Sequence, residues 1–398
     1  MIKPKLVDKP NHIDQELGYW QAVAILVGTV IGAGILGIPY VVSKTGLVLG
    51  LVIIVIIFLA LTSKSLLLAE VTLRTRASYQ LPGYAGAYLG PWAKWLYTFV
   101  QVSASYGAII AYIVGVGTIL SEIIGGPTYQ LLNLTINPTI YWGVAFAALG
   151  GMVVYAGLIL LRKIELWLTI FLALIVIILA VIGWNGIEKQ LIAKFDYAYL
   201  FLAYGTVFFA FSGASAIPQM RRVLKGQENK LASAIVTAKL IIFVIYILFT
   251  VTVLSITGLH TTEIATVGLD GTFGLLMFYL ANILALFTIS TSFFSLGLAL
   301  KNVYHLDYKI RNSYAWLFTM VPPTILFLMG LNDFVGILNF IGAVGGGILG
   351  VLIILIFWQA KKKGNRNPEF SLPELKPLGW ILIVMFLVGI LYTLVHPT

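Results

Sequence analysis

The 398-residue chain has no cysteine, and only 10% of its residues are charged. The first absence excludes a disulfide scaffold, a thiol nucleophile and a cysteine-ligated metal. The second speaks against a soluble fold. Average globular chains carry about 25% charged residues, whereas here 60% are hydrophobic and the mean hydropathy is +0.99. A soluble protein of this length has too little interior to hide that much apolar surface. Acids number 15 and histidines 4. His12, His260, His305 and His396 sit in loops or at span ends, and Glu70, Glu122 and Glu165 are terminal too. A hydrolytic or metal centre needs clustered ligands or a nucleophile beside a base. No such cluster appears, so an enzyme is not expected. The formal charge of +10 comes without a basic domain, so no nucleic-acid partner is expected.

Long apolar runs are abundant. A bilayer core about 30 Å thick needs about 20 apolar residues per helical span. Eleven runs qualify: Leu17–Tyr40, Gly46–Leu73, Trp92–Ile124, Thr139–Leu161, Glu165–Trp184, Tyr197–Met220, Leu231–Ile256, Thr272–Tyr304, Tyr314–Gly330, Phe334–Gln359 and Leu378–Val395. The expected class is an all-α polytopic membrane protein with 11 transmembrane helices. The first run is too long for a cleavable signal, contains Pro39 and follows a polar leader, residues 1–16. With the N-terminus placed in the cytoplasm, nineteen of the 25 basic residues fall in inner loops, two in outer loops, and Lys44, Lys64, Lys94 and Lys239 in or near spans. Positive charge marks the cytoplasmic side. The expectation is therefore a cell-membrane protein with a cytoplasmic N-terminus and an extracellular C-terminus, its partners being the lipid bilayer and a small molecule.

Two segments break the apolar pattern in the same way. Gly32-Ala33-Gly34-Ile35-Leu36-Gly37-Ile38-Pro39 in the first span aligns with Phe211-Ser212-Gly213-Ala214-Ser215-Ala216-Ile217-Pro218 in the sixth, at an offset of 179. The third and eighth spans start at nearly the same offset, 180. An odd number of spans per half inverts the second copy. The expected organisation is a first repeat over 17–184, a second over 197–359, and an extra span over 378–395. Glycine and proline weaken helices by about 1 and about 3 kcal/mol. Irregular backbone at membrane depth survives only where it lines a protein-buried or watery space. A pair of interrupted spans in matching places therefore marks a transport site. Freed N–H groups suit a carboxylate and freed carbonyls an ammonium group or Na+. Gly28 and Gly32 also form a GxxxG, which serves helix packing.

The run from Gly28 to Tyr40 resembles the first span of the amino acid–polyamine–organocation superfamily. The run from Tyr204 to Gly213, followed by Pro218, resembles the sixth span of its amino acid/auxin permease branch, which includes the hydroxy and aromatic amino acid permeases. Thr291-Ser292-Phe293 with Leu296-Gly297-Leu298 is similar to the eighth span there. The resemblance implies the leucine-transporter-type 5+5 inverted repeat, with helices 1 and 6 discontinuous. It also implies a secondary amino acid transporter. By position, N–H groups near Gly32, Ala33 and Gly34 would hold the substrate carboxylate. Carbonyls near Thr29 and of Phe209, Ala210 and Phe211 would hold its ammonium. Phe211 or a neighbouring Phe would pack the side chain or close the outer gate, and Ser212 adds a hydroxyl. Tyr106 and Gln101 on the third span face either the substrate or a neighbouring helix.

The coupling ion has two candidate sites. By the same resemblance, carbonyls of Gly28, Ile31 and Thr288 and hydroxyls of Thr291 and Ser292 match a sodium site; the alternative is hydroxyls bonding their own helix. Some proton-coupled superfamily members carry a lysine on the fifth span in place of this Na+. Here that span has no basic residue after its first position, which favours Na+ slightly. Lys64 and Lys239, in matching spans of the two repeats, keep a proton role open. Charge at that depth is costly and usually functional; the alternative is snorkelling to the surface. The function expected is import of neutral amino acids, aromatic or otherwise hydrophobic, by cation symport through alternating access. The alternative is an exchanger without net ion coupling. A channel is disfavoured, since neither rings of charge nor a selectivity loop appear. No cofactor is expected beyond Na+ as coupling ion.

Overall fold

The computed structural model describes residues 12–131, 134–157, 171, 174–178, 180–181, 186–269, 274–374 and 376–396. Of the expected fifth span, Glu165–Trp184, only residues 171, 174–178 and 180–181 are described, and of the polar leader only 12–16; the rest lie outside the described residues. Eight described helices are long and apolar enough to cross a membrane, and a bent pair makes a ninth. That pair is α1 (His12–Val30) and α2 (Gly34–Thr45), inclined by 57°. Gly46, at φ 94°, turns the chain at once into α3 (Leu47–Leu73). A Cβ there would lie 1.9 Å from the Lys194 carbonyl oxygen, so only glycine fits.

A short helix, α4 (Leu81–Leu89), packs Leu81, Tyr84 and Tyr88 under the third span, α5 (Pro91–Ile124). At nine residues it is too short for a span, and none of the eleven expected runs includes it. A two-stranded antiparallel hairpin, β1 (Tyr129–Leu131) with β2 (Leu134–Ile136), leads to α6 (Pro138–Ala156). This hairpin is a small departure from an all-α chain. The helix α6 ends at Ala156, before the Leu161 expected. Gly157 in the left-handed region caps it, and Lys301 Nζ donates to the carbonyls of Val154 at 2.8 Å and Tyr155 at 3.1 Å. The buried face of α6 is Gly143, Ala147, Gly150, Gly151 and Val154. Such small residues let helices approach closely within a membrane, and the Phe293 ring lies against Gly150.

The sixth span is α7 (Leu200–Ala210) and α8 (Ile217–Val223), separated by residues 211–216. After it come α9 (Leu231–Thr257), α10 (Gly274–Asn302) and α11 (Asn312–Leu328). At 17 residues α11 is short for a span. The tenth span is α12 (Phe334–Phe340), a π-helical stretch Ile341–Gly346, and α13 (Gly347–Lys363); α14 (Lys376–Val395) closes the chain. Aliphatic side chains such as Val52, Val55, Ile56 and Leu59 on α3 are exposed. Apolar side chains on an outer helix face fit contact with lipid rather than water.

The loops expected on one side of the membrane meet at one end of the bundle. Arg221 donates to the Thr72 carbonyl, Arg366 to the Leu73 carbonyl at 3.1 Å, and Lys361 pairs with Glu70 at 2.9 Å. The opposite end holds Tyr40, Glu263, Asp333 and His396 around a cavity of about 310 Å³.

Candidate substrate site at two broken helices

The breaks lie where glycine density predicts them, but the two prolines act differently. Pro218 sits in the first turn of α8, where its missing N–H costs nothing. Pro39 lies inside α2, past the break. The first break spans Ile31–Ala33. Among the described residues, the N–H groups of Gly32, Ala33 and Gly34 have no backbone acceptor; the ladder resumes with Ile35 N–H to Gly32 O at 3.4 Å and Leu36 N–H to Ala33 O at 3.1 Å. These are the donors expected for a carboxylate.

The breaks touch each other. A Cβ on Gly34 would lie 2.7 Å from Ala210 Cα and 3.3 Å from the Phe209 ring; one on Gly213 would lie 2.4 Å from Val30 Cγ2. Glycine at these two points lets the broken ends meet.

Each sixth-span carbonyl expected to hold the substrate ammonium already receives one donor. Phe209 O accepts from Ser212 N–H at 3.0 Å. The Tyr246 hydroxyl on α9 lies 3.0 Å from Ala210 O and 2.9 Å from Val30 O, so it joins the last carbonyls before both breaks. Lys239 Nζ donates to Phe211 O at 2.6 Å. Each carbonyl keeps a second lone pair. Tyr246 escaped the sequence reading, because a tyrosine in a span signals packing as readily as a site. Tyr112 on α5 is its electrostatic neighbour.

The other expected residues divide. Phe211 is fully buried, against Phe58 and, edge to face at 4.9 Å, Tyr246. Half-buried Phe209 is the ring beside Gly34. Ser212 turns its hydroxyl to Phe208 O at 2.8 Å, and Thr29 to Ile25 O at 2.7 Å. Tyr106 bonds the Tyr304 hydroxyl at 2.7 Å and Phe318 O at 2.6 Å, the interhelical use.

At the sodium candidate, Ser292 Oγ lies 2.6 Å from where a Gly32 Cβ would project, which puts α10 directly against the first break. Thr291 donates to Thr288 O at 3.0 Å, and Thr288 to Leu284 O at 2.9 Å. Both hydroxyls therefore bond their own helix. Gly28 and Ile31 are buried nearby on the first span. Among the described residues no cluster of histidine or carboxylate could hold a metal, so only hydroxyl and carbonyl oxygens are on offer; a hard cation takes such ligands.

Lys64 and Lys239 do not snorkel. They are 4% and 1% exposed, and Lys64 Nζ lies 4.8 Å from the centre of the Phe208 ring. At the far end of α2, burial first and then the Asp333 charge raise the pKa of Glu263 above its ordinary value.

The Tryptophan/tyrosine permease family matches residues 15–396. The chain belongs to that family. It is a multi-pass membrane protein and an amino acid transporter, not an enzyme, consistent with the superfamily resemblance. Glutamine transporter 2 of Aliivibrio fischeri is 24% identical over 333 residues, 80% of this chain and 83% of the relative. Tyrosine-specific transport system 1 of Haemophilus influenzae is 24% identical over 393 residues, 93% of this chain and 94% of the relative. Among solved structures, MhsT in complex with L-phenylalanine matches with a TM-score of 0.67 and 17% identity, covering 95% of this chain and 98% of that one. That likeness gives the chain the leucine-transporter-type fold.

Proposed function

We propose that this permease imports neutral amino acids, aromatic or otherwise hydrophobic, by cation symport across the cell membrane. The observation that carries the reading is the contact between two helix breaks. One presents unbonded N–H groups at Gly32–Gly34; the other presents carbonyls with a spare lone pair and the half-buried Phe209 ring. A carboxylate belongs at the N–H groups, at the positive start of α2. An ammonium belongs at the carbonyls. The amino acid backbone carries both charges, so no charged side chain need recognise it. The named substrates of the relatives, glutamine and tyrosine, and the L-phenylalanine bound to MhsT support a neutral amino acid. Alternating access follows if spans 1–5 and 6–10 are inverted repeats that rock against each other. Within the superfamily, the amino acid/auxin permease branch fits the sixth-span motif best.

Purified protein in proteoliposomes tests this. Saturable uptake of labelled L-tyrosine, L-phenylalanine or L-glutamine is expected, with each competing for the others. Absence of uptake and of binding for every neutral amino acid would overturn the reading. A steady ionic current without substrate would replace it with a channel.

A further inference from the structure

We propose that Lys239 is the coupling residue of the transport cycle, releasing and regaining one proton per turnover, so that H+ is the coupling ion. This rests on the reading of transport at the two breaks.

The geometry begins with what Lys239 touches. Its Nζ is buried and bonds Phe211 O, an acceptor left over only because the sixth span is broken. Among the described residues no carboxylate pairs with it; the acids in ion pairs are Glu70, Glu228, Glu369 and Glu374. Among the described side chains, the elements packed on α9 supply no counter-charge either. From α3 come Lys64, a second buried ammonium, and Glu70, which is committed to Arg74 and Lys361. From the described side chains of α1 comes Tyr19, bonded to Thr237. From α2 come Tyr40 and Lys44, with Lys44 stacked over the Tyr40 ring. Glu228, before α9, faces Arg366 and Gly226 N–H, and His260 lies beyond its other end. On α9 itself, Tyr246 is held by the two carbonyls.

A buried ammonium with a single carbonyl partner persists only while that partner stays. Rocking of the sixth span against α9 takes Phe211 O away. The form that survives without it is the neutral amine, its proton having passed to water in the space that opens. When the break closes again, a proton taken from water on the opposite side restores the ammonium and its bond. Lys64 limits the count to one, because two buried like charges disfavour each other. The lack of a lysine on the fifth span favours Na+; α9 supplies the lysine from another span.

The test is accumulation of labelled L-tyrosine, L-phenylalanine and L-glutamine in proteoliposomes under H+ and Na+ gradients imposed separately. With one proton per substrate, a gradient of one pH unit, acid outside, concentrates substrate about tenfold without Na+. Lys239→Met and Lys239→Arg are both expected to bring the accumulation ratio down to about one, while size-exclusion profiles and thermal melting report folded protein. A merely structural ammonium would be rescued by arginine, which keeps the charge and the bond but not the titration. Full pH-driven accumulation by Lys239→Arg would overturn the proposal. Wild-type accumulation that follows Na+ alone would overturn it too and leave the transport reading intact. No uptake of any amino acid under either gradient would overturn both.

Discussion

Tyr246 has one hydroxyl proton and two carbonyl acceptors, Val30 O and Ala210 O, which end the first halves of two different spans. Tyr246→Phe leaves both without that donor in a site closed to water. An orphaned buried acceptor costs about 1–3 kcal/mol. The variant should melt several degrees lower in detergent, and binding of labelled amino acid should weaken because the breaks are no longer held in register. An unchanged melting curve would show that the hydroxyl bonds contribute nothing. Gly34 makes the complementary case. Its projected Cβ meets backbone, Ala210 Cα at 2.7 Å, which cannot swing aside as a side chain can. Gly34→Leu is therefore expected to abolish substrate binding; normal uptake by the folded variant would remove the first break from the site. Glu263 provides a pH test. Its carboxyl is held above its ordinary value by burial and by Asp333, so the folded state binds that proton more tightly than the unfolded chain does. The stabilisation is present below the unfolded pKa and is lost as pH rises through the folded pKa. Melting of purified protein across that window should fall with pH in the wild type, and less steeply in Glu263→Gln.

At the scale of elements, the breaks were legible and what holds them was not. Gly32, Gly34 and Gly213 are readable because glycine in the middle of an apolar run costs helix stability without any packing return. Tyr246 and Lys239, seven residues apart on one helix face, gain their meaning only from carbonyls that other spans bring to them. The strap across the basic end is equally invisible in the sequence. Glu70, fully buried, accepts from Arg74 at 2.7 Å, Lys361 at 2.9 Å, Ser371 Oγ at 3.2 Å and Leu372 N–H at 2.7 Å. Its partners at 371 and 372 are about 300 positions away in the chain. Read alone, Glu70 was a terminal acid of its span. In the fold it anchors the segment between α13 and α14 to the end of α3. Removing one partner of a buried ion pair costs about 3–5 kcal/mol. Glu70→Gln should approach that loss, and Glu70→Gln combined with Lys361→Met should lose less than the sum of the two single changes. Additive losses in that cycle would mean that the two side chains are not coupled.

For the whole molecule, the charge pattern and the fold agree on which loops share a side. Thr72, Arg74, Arg221, Lys361 and Arg366, at or just past the ends of α3, α8 and α13, are bonded together through Glu70 and backbone carbonyls at one end. Tyr40, Glu263, Asp333 and His396 surround the cavity at the other. Contacts among helices cannot say which end faces the cytoplasm; the excess of lysine and arginine can, because positive loops are retained inside. The absence of cysteine makes this directly measurable, since the natural chain has no thiol to give background. Lys189 and Lys362 are exposed and belong to opposite sides in the expected topology. In intact cells a membrane-impermeant maleimide should label Lys189→Cys. It should leave Lys362→Cys unlabelled until the membrane is permeabilised, with the unsubstituted chain silent throughout. The reverse pattern would invert the molecule. Substrate would then enter from the side assigned here to release, and the proton carried by Lys239 would run with an outward flux rather than an inward one.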